Sequence, residues 1–522
     1  MQTFGRKTIY VKYTEEDILK LPIEEQDKII IDIIENSKDI HQINRTQTLY
    51  LKDYLKGLQD IYVEKVKHTR PEIDNKIVEN WAWALIDFKK CYLLGKPIQY
   101  VQLNDSGEKE IALLNKYVRF EGKKAKDMNT YEDVLVCGRG FVYKGFQKTT
   151  EDDEAPFEIL NCPAEDTEVI YSSKLGNKQV GAYVVTSMKY IQLEYDPETK
   201  ERVPREYPYN EYTFYLRNRM VVINDKSGAL EVVEGSSKPI ILQEHSITEY
   251  YVNRQRIGLI EIGKDLFNAL NNLESLDADD MEQFVNAILV FTNVEVSESD
   301  IEDIRNLGAV SIASTENKKA SIELLSQRLN ASDTQTYYTR LVTSLHQILG
   351  IPMASDTGTV SYGDTGKAHL TGQGYTTAGI RAEGDETMFG MCDMEMLKGV
   401  LKACKLSKQS EIKNLKISDI EPKFNRDMTD NILTKTQALL NLYSADIPRK
   451  FANSIIGLFG DSNAVTSEQE RLFGEQQSQQ GAKNQNAQEP FDTNQDTTNA
   501  NDIADEQDSK VSVAIERDNQ GE

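Results

Sequence analysis

From Gly258 onward the apolar residues Leu259, Ile262, Leu266, Leu270, Leu273, Met281, Phe284 and Ile288 recur in steps of three and four. A period held over about 30 residues predicts a continuous helix about 45 Å long. Glu274, Asp277, Asp279, Asp280 and Glu282 make its middle acidic, and a solvated acidic face is expected there. The period then breaks. A strand-like run from Ala287 to Thr292, a short helix near Asp300 to Leu307 and the apolar stretch Ala309-Val-Ser-Ile312 make a compact insertion. Helical spacing resumes near Ser332, with Tyr338, Leu341, Leu345 and Ile348 on one face, and stops at Gly350-Ile-Pro352, a left-handed cap followed by proline. Two helices flanking an insertion form a stalk with a knob at its tip. The Ser-, Thr-, Gly- and Asp-rich loop that follows, residues 351 to 367, is longer than most connections inside compact domains, which marks it for function.

The rest of the chain divides by composition. Residues 14 to 130 read mainly as helix, opening on the capping-box pattern Thr14-Glu-Glu-Asp17. Leu51, Tyr54, Leu55, Leu58 and Ile61 continue it at helical spacing, and Trp81, Trp83, Ala84, Leu85 and Phe88 make another apolar face. Between about 131 and 250 short β-branched or aromatic runs predict strands: Val134 to Cys137, Phe141 to Tyr143, Glu168 to Tyr171, Gly181 to Val185 and Tyr212 to Leu216. Helical patterns return over about 376 to 405 and again beyond Pro422. From about Glu468 the sequence becomes Gln, Asn, Asp, Glu, Ser and Thr, too polar to offset its ordering entropy, so disorder is expected. The fold class read from this succession is α+β.

The 522 residues carry a formal net charge of −24 with a mean hydropathy of −0.52. Phosphate binding rests on Lys and Arg, so the charge argues against a protein that grips nucleic acid by its overall field. An acidic protein remains suited to handling DNA without sticking to it. No apolar stretch long enough to span a membrane is found, and Met1 to Lys7 has no apolar run behind its basic residues, so neither a transmembrane segment nor a cleaved secretory leader is expected. The cysteines at 91, 137, 162, 392 and 404 lie far apart without a Cys-x-x-Cys pair and read as reduced, mostly buried thiols.

Candidate chemistry dissolves on inspection. Gly363-Asp-Thr-Gly366-Lys367 suggests a phosphate-binding loop, but Ser361 replaces its first glycine and Ala368 the hydroxyl residue that would hold magnesium. Asp279 and Asp280 point about 100° apart on one helix with no histidine or turn glycine beside them, which argues against a cation site. No nucleophile elbow occurs and no histidine pair has metal-ligand spacing. No catalytic residue, metal or cofactor is therefore assigned.

Several segments together resemble the portal proteins, the head-to-tail connectors of long-tailed double-stranded DNA bacteriophages. Tyr54-Leu-Lys-Gly-Leu-Gln59, Asp74-Asn-Lys-Ile-Val-Glu-Asn80 and Cys91-Tyr-Leu-Leu-Gly-Lys-Pro97 are similar to the family's opening pattern. Pro239-Ile240, Glu249-Tyr-Tyr-Val-Asn253, Gly258 and the helix through Phe284-Val-Asn-Ala-Ile-Leu289 resemble its later signature, and Tyr362-Gly-Asp-Thr-Gly366 and Ile420-Glu-Pro-Lys-Phe-Asn-Arg426 with Asp430-Asn431 complete the order. The likeness runs from about Thr14 to Ser467, with extra length at the N-terminus and over 190 to 210, and an added polar tail.

The resemblance implies a wing over 1–257, helical and then β-rich, stem helices over 258–286 and 333–350, and a clip over 287–332. It further implies a tunnel loop over 351–367, a long wing helix and return over 368–420, a crown over 421–466 and a disordered tail over 467–522. It implies a homo-oligomeric ring of about twelve copies at one capsid vertex of the virion, made in the host bacterial cytoplasm. Such a ring conducts double-stranded DNA without sequence specificity and meets terminase, a head-to-tail adaptor, and the major capsid and scaffolding proteins; no membrane is involved. The channel residues implied by position are Asp356, Thr357, Ser361, Tyr362, Asp364 and Lys367 in the loop, and Glu274, Asp277 and Asp280 on the stem. An acidic bore would repel the duplex only within a screening length of about 8 Å, easing passage without blocking entry. Two other classes compete: another structural head component, such as a minor capsid or adaptor protein, and a nucleic-acid enzyme, which would need a catalytic constellation.

Overall fold

The computed structural model describes residues 5–67, 71–103, 107–149, 154–195, 202–285, 288–292, 321–325, 331–353, 375–426, 432–445 and 447–456, with a few positions between 465 and 472. The chain divides into two compact units, Met1–Asn463 and Ala464–Glu522. In the second, Arg471 pairs with Glu468 at 2.6 Å. All six loop residues, Asp356, Thr357, Ser361, Tyr362, Asp364 and Lys367, lie outside the described residues, as do the expected helix near 300–307, the 309–312 stretch and nearly all of the polar tail.

The first unit opens with β1 (Ile9–Val11) and α1 (Glu15–Leu19). The capping box at the start of α1 is present: the Thr14 hydroxyl accepts from the Asp17 N–H while the Asp17 carboxylate accepts from Thr14. Then follow α2 (Ile23–Leu55), α3 (Ile61–Glu64), α4 (Trp81–Leu94), β2 (Gln99–Gln102), α5 (Glu108–Phe120) and α6 (Lys123–Cys137). Leu58 falls beyond the end of α2 and is exposed, and Trp83 points away from the buried side of α4.

One expectation is corrected here. Val134 to Cys137 is the last turn of α6, not a strand. All four residues are buried, and a short apolar run covered on every side has no period to separate helix from strand. The helix stops at Gly138, whose φ of +78° suits glycine; a Cβ there would also lie 2.0 Å from the Arg256 carbonyl oxygen.

The β-rich stretch comprises β3 (Gly140–Phe146), β4 (Phe157–Cys162), β5 (Thr167–Ser172), β6 (Gln179–Tyr195), β7 (Arg202–Tyr215), β8 (Arg219–Asn224), β9 (Glu231–Val232), β10 (Lys238–Pro239) and β11 (Ile247–Tyr250). A seven-stranded sheet runs β1-β5-β6-β7-β8-β10, with β9 also on β8, and a three-stranded sheet runs β11-β3-β4. Ile30, Ile33 and Ile34 of α2 pack on Ile170, Tyr183, Phe214 and Ile223 of the larger sheet, giving one core. Apolar burial is worth about 25 cal/mol per Å², so this interface rather than helix propensity holds α2 in place.

The remaining elements are α7 (Leu259–Val285), β12 (Ile288–Thr292), β13 (Ser321–Leu325), α8 (Ala331–Leu349), α9 (Tyr375–Leu406), β14 (Ile420–Lys423), α10 (Ile432–Ser444) and α11 (Arg449–Ile456). A second, larger core gathers α4 to α9, with Phe267, Leu270, Leu345, Phe389, Met396 and Leu397 inside. β14 pairs with β2, tying residues 420–423 to 99–102. The described residues are thus mixed helix and sheet, an α+β arrangement.

Much of the charge inside the body is paired, although buried Lys144 donates only to the Thr248 hydroxyl and the Glu395 carbonyl, and burial lowers its pKa to about 8. Lys123 donates to Asp127 at 2.7 Å and to Asp393 at 2.8 Å, while Tyr100 and Tyr250 donate their hydroxyl protons to the same Asp393. Arg139 grips Glu168 with both arms at 2.7 and 2.8 Å. Each network joins elements distant in the chain, α6 to α9 in the first case and the β3 entry to β5 in the second.

Candidate functional site

α7 and α8 pack side by side and are connected across the antiparallel pair β12–β13, in which Ile288 lies opposite Leu325 and Thr292 opposite Ser321. The register of the helices is antiparallel. Gly263 near the start of α7 faces Leu345 near the end of α8, while Glu274 lies within electrostatic range of Tyr338 near the start of α8.

Each end is fixed by local chemistry. At the start of α7 the Glu261 carboxylate accepts the N–H groups of Gly258 and Gly5, both at 3.0 Å, and pairs with Arg6. Gly258 must be glycine, since a Cβ would sit 2.0 Å from the Val136 carbonyl oxygen. α8 ends at Gly350 with φ of +67°, the left-handed cap expected there. Arg381 of α9 donates to the Ile348 and Gln347 carbonyls at 2.6 and 3.2 Å, satisfying acceptors that the helix end leaves open.

α7 has two polar stripes. Asn271, Ser275 and Asp279 follow one another at four-residue spacing and are buried. Their side-chain oxygens accept the backbone N–H groups of Glu79 (2.9 Å), Ile77 (2.9 Å) and Asn75 (2.7 Å) in that order. Four helical residues rise about 6 Å and two extended residues about 6.6 Å, so the two chains stay nearly in step. Asp279 also accepts from Lys65 at 2.8 Å and from Lys67 at 3.4 Å. Burial alone would raise its pKa, but the Lys65 bond, the Asn75 donors and the Lys65 charge outweigh that and lower it. Asp279 is therefore no part of a solvated face.

Glu274, Asp277 and Asp280, at three-residue spacing, run along roughly the opposite side of the helix. They are half-buried, and among the described residues none takes a hydrogen bond or ion pair. Burial, with Glu79 and Asp277 nearby, raises the pKa of Glu274. Burial also raises that of Asp280, with Lys67 opposing and Asp277 and Asp279 adding to the shift. Ile262, Leu276 and Met281 are exposed on the same helix.

Compared with known families, residues 34–482 match the model described as "Phage portal protein, SPP1 Gp6-like". The chain belongs to this family. No individually curated protein matches it significantly. The portal family is structural, an oligomeric capsid-associated class, and among the described residues of this portal chain no helix is long and apolar enough to cross a membrane.

Glu274, Asp277 and Asp280, named from the sequence, therefore share one stripe of α7. What the sequence did not reveal is the buried stripe beside it. Polar residues four apart in an apolar helix were a visible signal, but their partners Asn75, Ile77 and Glu79 lie about two hundred residues away.

Proposed function

We propose that the chain is one subunit of a portal ring of about twelve copies at a single vertex of a phage head, through which double-stranded DNA is packaged and ejected. The observation that carries this is the antiparallel α7–α8 pair in a chain of the portal family, with an acidic stripe opposite the docked one that takes no hydrogen bond or ion pair among the described residues. In this reading α7 and α8 are the stem, and the insertion around β12–β13, residues 287–332, is the clip that docks terminase and later the head-to-tail adaptor. Residues 1–257 and 368–420 form the wing, 421–466 the crown and 467–522 the tail, the wing and crown meeting capsid and scaffolding proteins.

Glu274, Asp277 and Asp280 line the bore in this reading. Duplex DNA carries one negative charge per about 1.7 Å of axis, so a carboxylate wall offers phosphates no foothold. The 351–367 loop, with Asp356, Thr357, Ser361, Tyr362, Asp364 and Lys367, supplies the constriction, and Lys367 a weak, exchanging contact to phosphate. Nucleotide hydrolysis belongs to the terminase. Exposed Ile262, Leu276 and Met281 give neighbouring stems apolar area to share.

Native mass measurement of the purified chain tests this: a population near twelve copies is expected, whereas single copies at every concentration, in solution and recovered from particles, overturn it. Lys367→Ala is expected to alter packaging rate or genome retention; no change in either removes the loop contact.

A further inference from the structure

A cavity of about 710 Å³ opens where β3, the β5–β6 turn, β11, α1 and α9 meet. That size suits a small organic molecule. Its lining holds five cations and five carboxylates, so the sum of charge says nothing about an occupant. Which of these groups are already committed says more. Glu15 accepts the Arg217 backbone N–H at 3.0 Å, with the Arg217 guanidinium at 3.5 Å. Glu249 accepts from Arg256 at 2.7 and 2.8 Å, Glu244 pairs with Lys402 at 2.6 Å, and Glu395 pairs with Lys398 at 2.5 Å. Lys174 is held by Asp17 at 3.0 Å, and Glu16 and Lys178 are exposed.

Lys144 is the exception. It is only 3% exposed and has no carboxylate at hydrogen-bond or ion-pair distance among the described residues. Its stem crosses α9 at Gly399, where a Cβ would lie 2.7 Å from the lysine Cδ and Cε. The ammonium then donates to the Thr248 hydroxyl and the Glu395 carbonyl, both at 2.9 Å. An ammonium has three protons, so one is left over. A buried cation held by neutral acceptors alone is costly, and burial lowers the Lys144 pKa to about 8 although Glu244 and Glu395 pull the other way. His245, also in the lining, has its Nε2 3.6 Å from Glu15 and a buried Nδ1 without a partner. Burial, and after it Lys144, lowers the His245 pKa to about 4, so the ring is neutral at pH 7 and adds no charge.

We propose that this cavity binds a small organic anion, a carboxylate or a phosphate ester, with its charged head on Lys144 and its body against Tyr171 and Tyr251. Every lining carboxylate except exposed Glu16 is committed, so a cation finds no acceptor inside, whereas an anion meets an unspent charged donor at the buried floor. Duplex DNA is a poorer occupant, because its convex backbone does not reach a lysine buried at the floor of a concavity. The lining comes from one copy of the chain, so the site does not depend on the ring reading.

Titration calorimetry of the full chain with succinate and with adenosine monophosphate at pH 8 tests the proposal and separates the two heads. At that pH Lys144 is about half unprotonated, and an anion on its ammonium raises its pKa. Binding should therefore take up close to about half a proton, read as a heat that changes with the ionisation enthalpy of the buffer. Lys144→Met keeps the stem; it should weaken binding at least about tenfold and abolish the uptake, with the thermal melt unchanged or higher because no ammonium remains buried. Should that variant fail to fold, the proton uptake of the wild-type chain decides alone. Tighter binding of succinate assigns the carboxylate head, and tighter binding of adenosine monophosphate the phosphate ester. Failure of both probes to bind below about 10 mM, binding without proton uptake, or equal affinity in the folded variant overturns the proposal.

Discussion

The body of the chain and α7 treat charge in opposite ways. Around Lys123 an ammonium, two carboxylates and two phenols are removed from water, and every group has a partner at hydrogen-bond distance. Along α7 Glu261 and Asp279 are handled so; Glu274, Asp277 and Asp280 stand in a row with no hydrogen bond or ion pair among the described residues, and burial raises the pKa of Glu274 and Asp280. A chain able to pair carboxylates in its interior leaves three without a hydrogen bond or ion pair among the described residues on one stripe. In the body charge specifies which elements meet; on the stripe it is free to act on something outside the subunit.

The largest effect that would break this contrast lies at Lys123. Lys123→Met leaves Asp127 and Asp393 buried without their cation and should lower stability by about 3–5 kcal/mol, read by chemical denaturation. A change below about 1 kcal/mol would mean that the network is not the fastener described.

Next comes an acid limb. Burial raises the Glu168 pKa, but Arg139, with His41 adding, overcomes it and brings the carboxyl down to about 2 from an ordinary 4.5. A depressed folded-state pKa stabilises above the unfolded value, and that stabilisation disappears as pH falls from about 4.5 through 2. The contribution is about 3 kcal/mol, and Glu168→Gln should flatten the pH dependence in that window. Retention of the full slope in the variant would assign the limb to other groups.

Asp279→Ala should cost about 1–3 kcal/mol, because the Asn75 N–H and the Lys65 ammonium lose their acceptor. Hydrogen exchange should quicken first at Asn75 if the docked stripe holds this segment. Replacing Glu274, Asp277 and Asp280 by Gln, Asn and Asn should change stability by no more than about 0.5 kcal/mol each, since they lack partners among the described residues. If the ring reading holds, the same triple variant should instead make assembled rings retain duplex DNA at low salt more than wild-type rings do.

The smallest effect is chemical. Cys91 is exposed, whereas Cys162, Cys392 and Cys404 are buried with thiol pKa values pushed up to about 12, and burial raises that of Cys137 too. One thiol should react in the native chain and the rest only after unfolding.

Where the sequence was legible, the information was local. The three-and-four spacing after Gly258 and after Ser332 predicts α7 and α8, and the Gly350 stop and the Thr14 box are each written within a few residues. Val134 to Cys137 misled because burial on all sides erases period. The β6–β7 ladder was seen only at its roots, Gly181 to Val185 and Tyr212 to Leu216; cross-strand pairing, which the local sequence does not show, extends it to Tyr195 opposite Arg202. Glu274, Asp277 and Asp280 were legible as a stripe because helix geometry alone aligns them. Asp279, one residue from Asp280, was not separable from them, since Lys65 and Asn75 decide its fate from far away.

A symmetric reconstruction of the purified assembly by electron cryomicroscopy addresses the central claim most directly. The account predicts a closed ring whose pore admits a double helix, with Glu274, Asp277 and Asp280 of every copy turned toward the axis. A pore too narrow for a duplex, or a ring that buries those carboxylates between subunits against lysine or arginine, would contradict it.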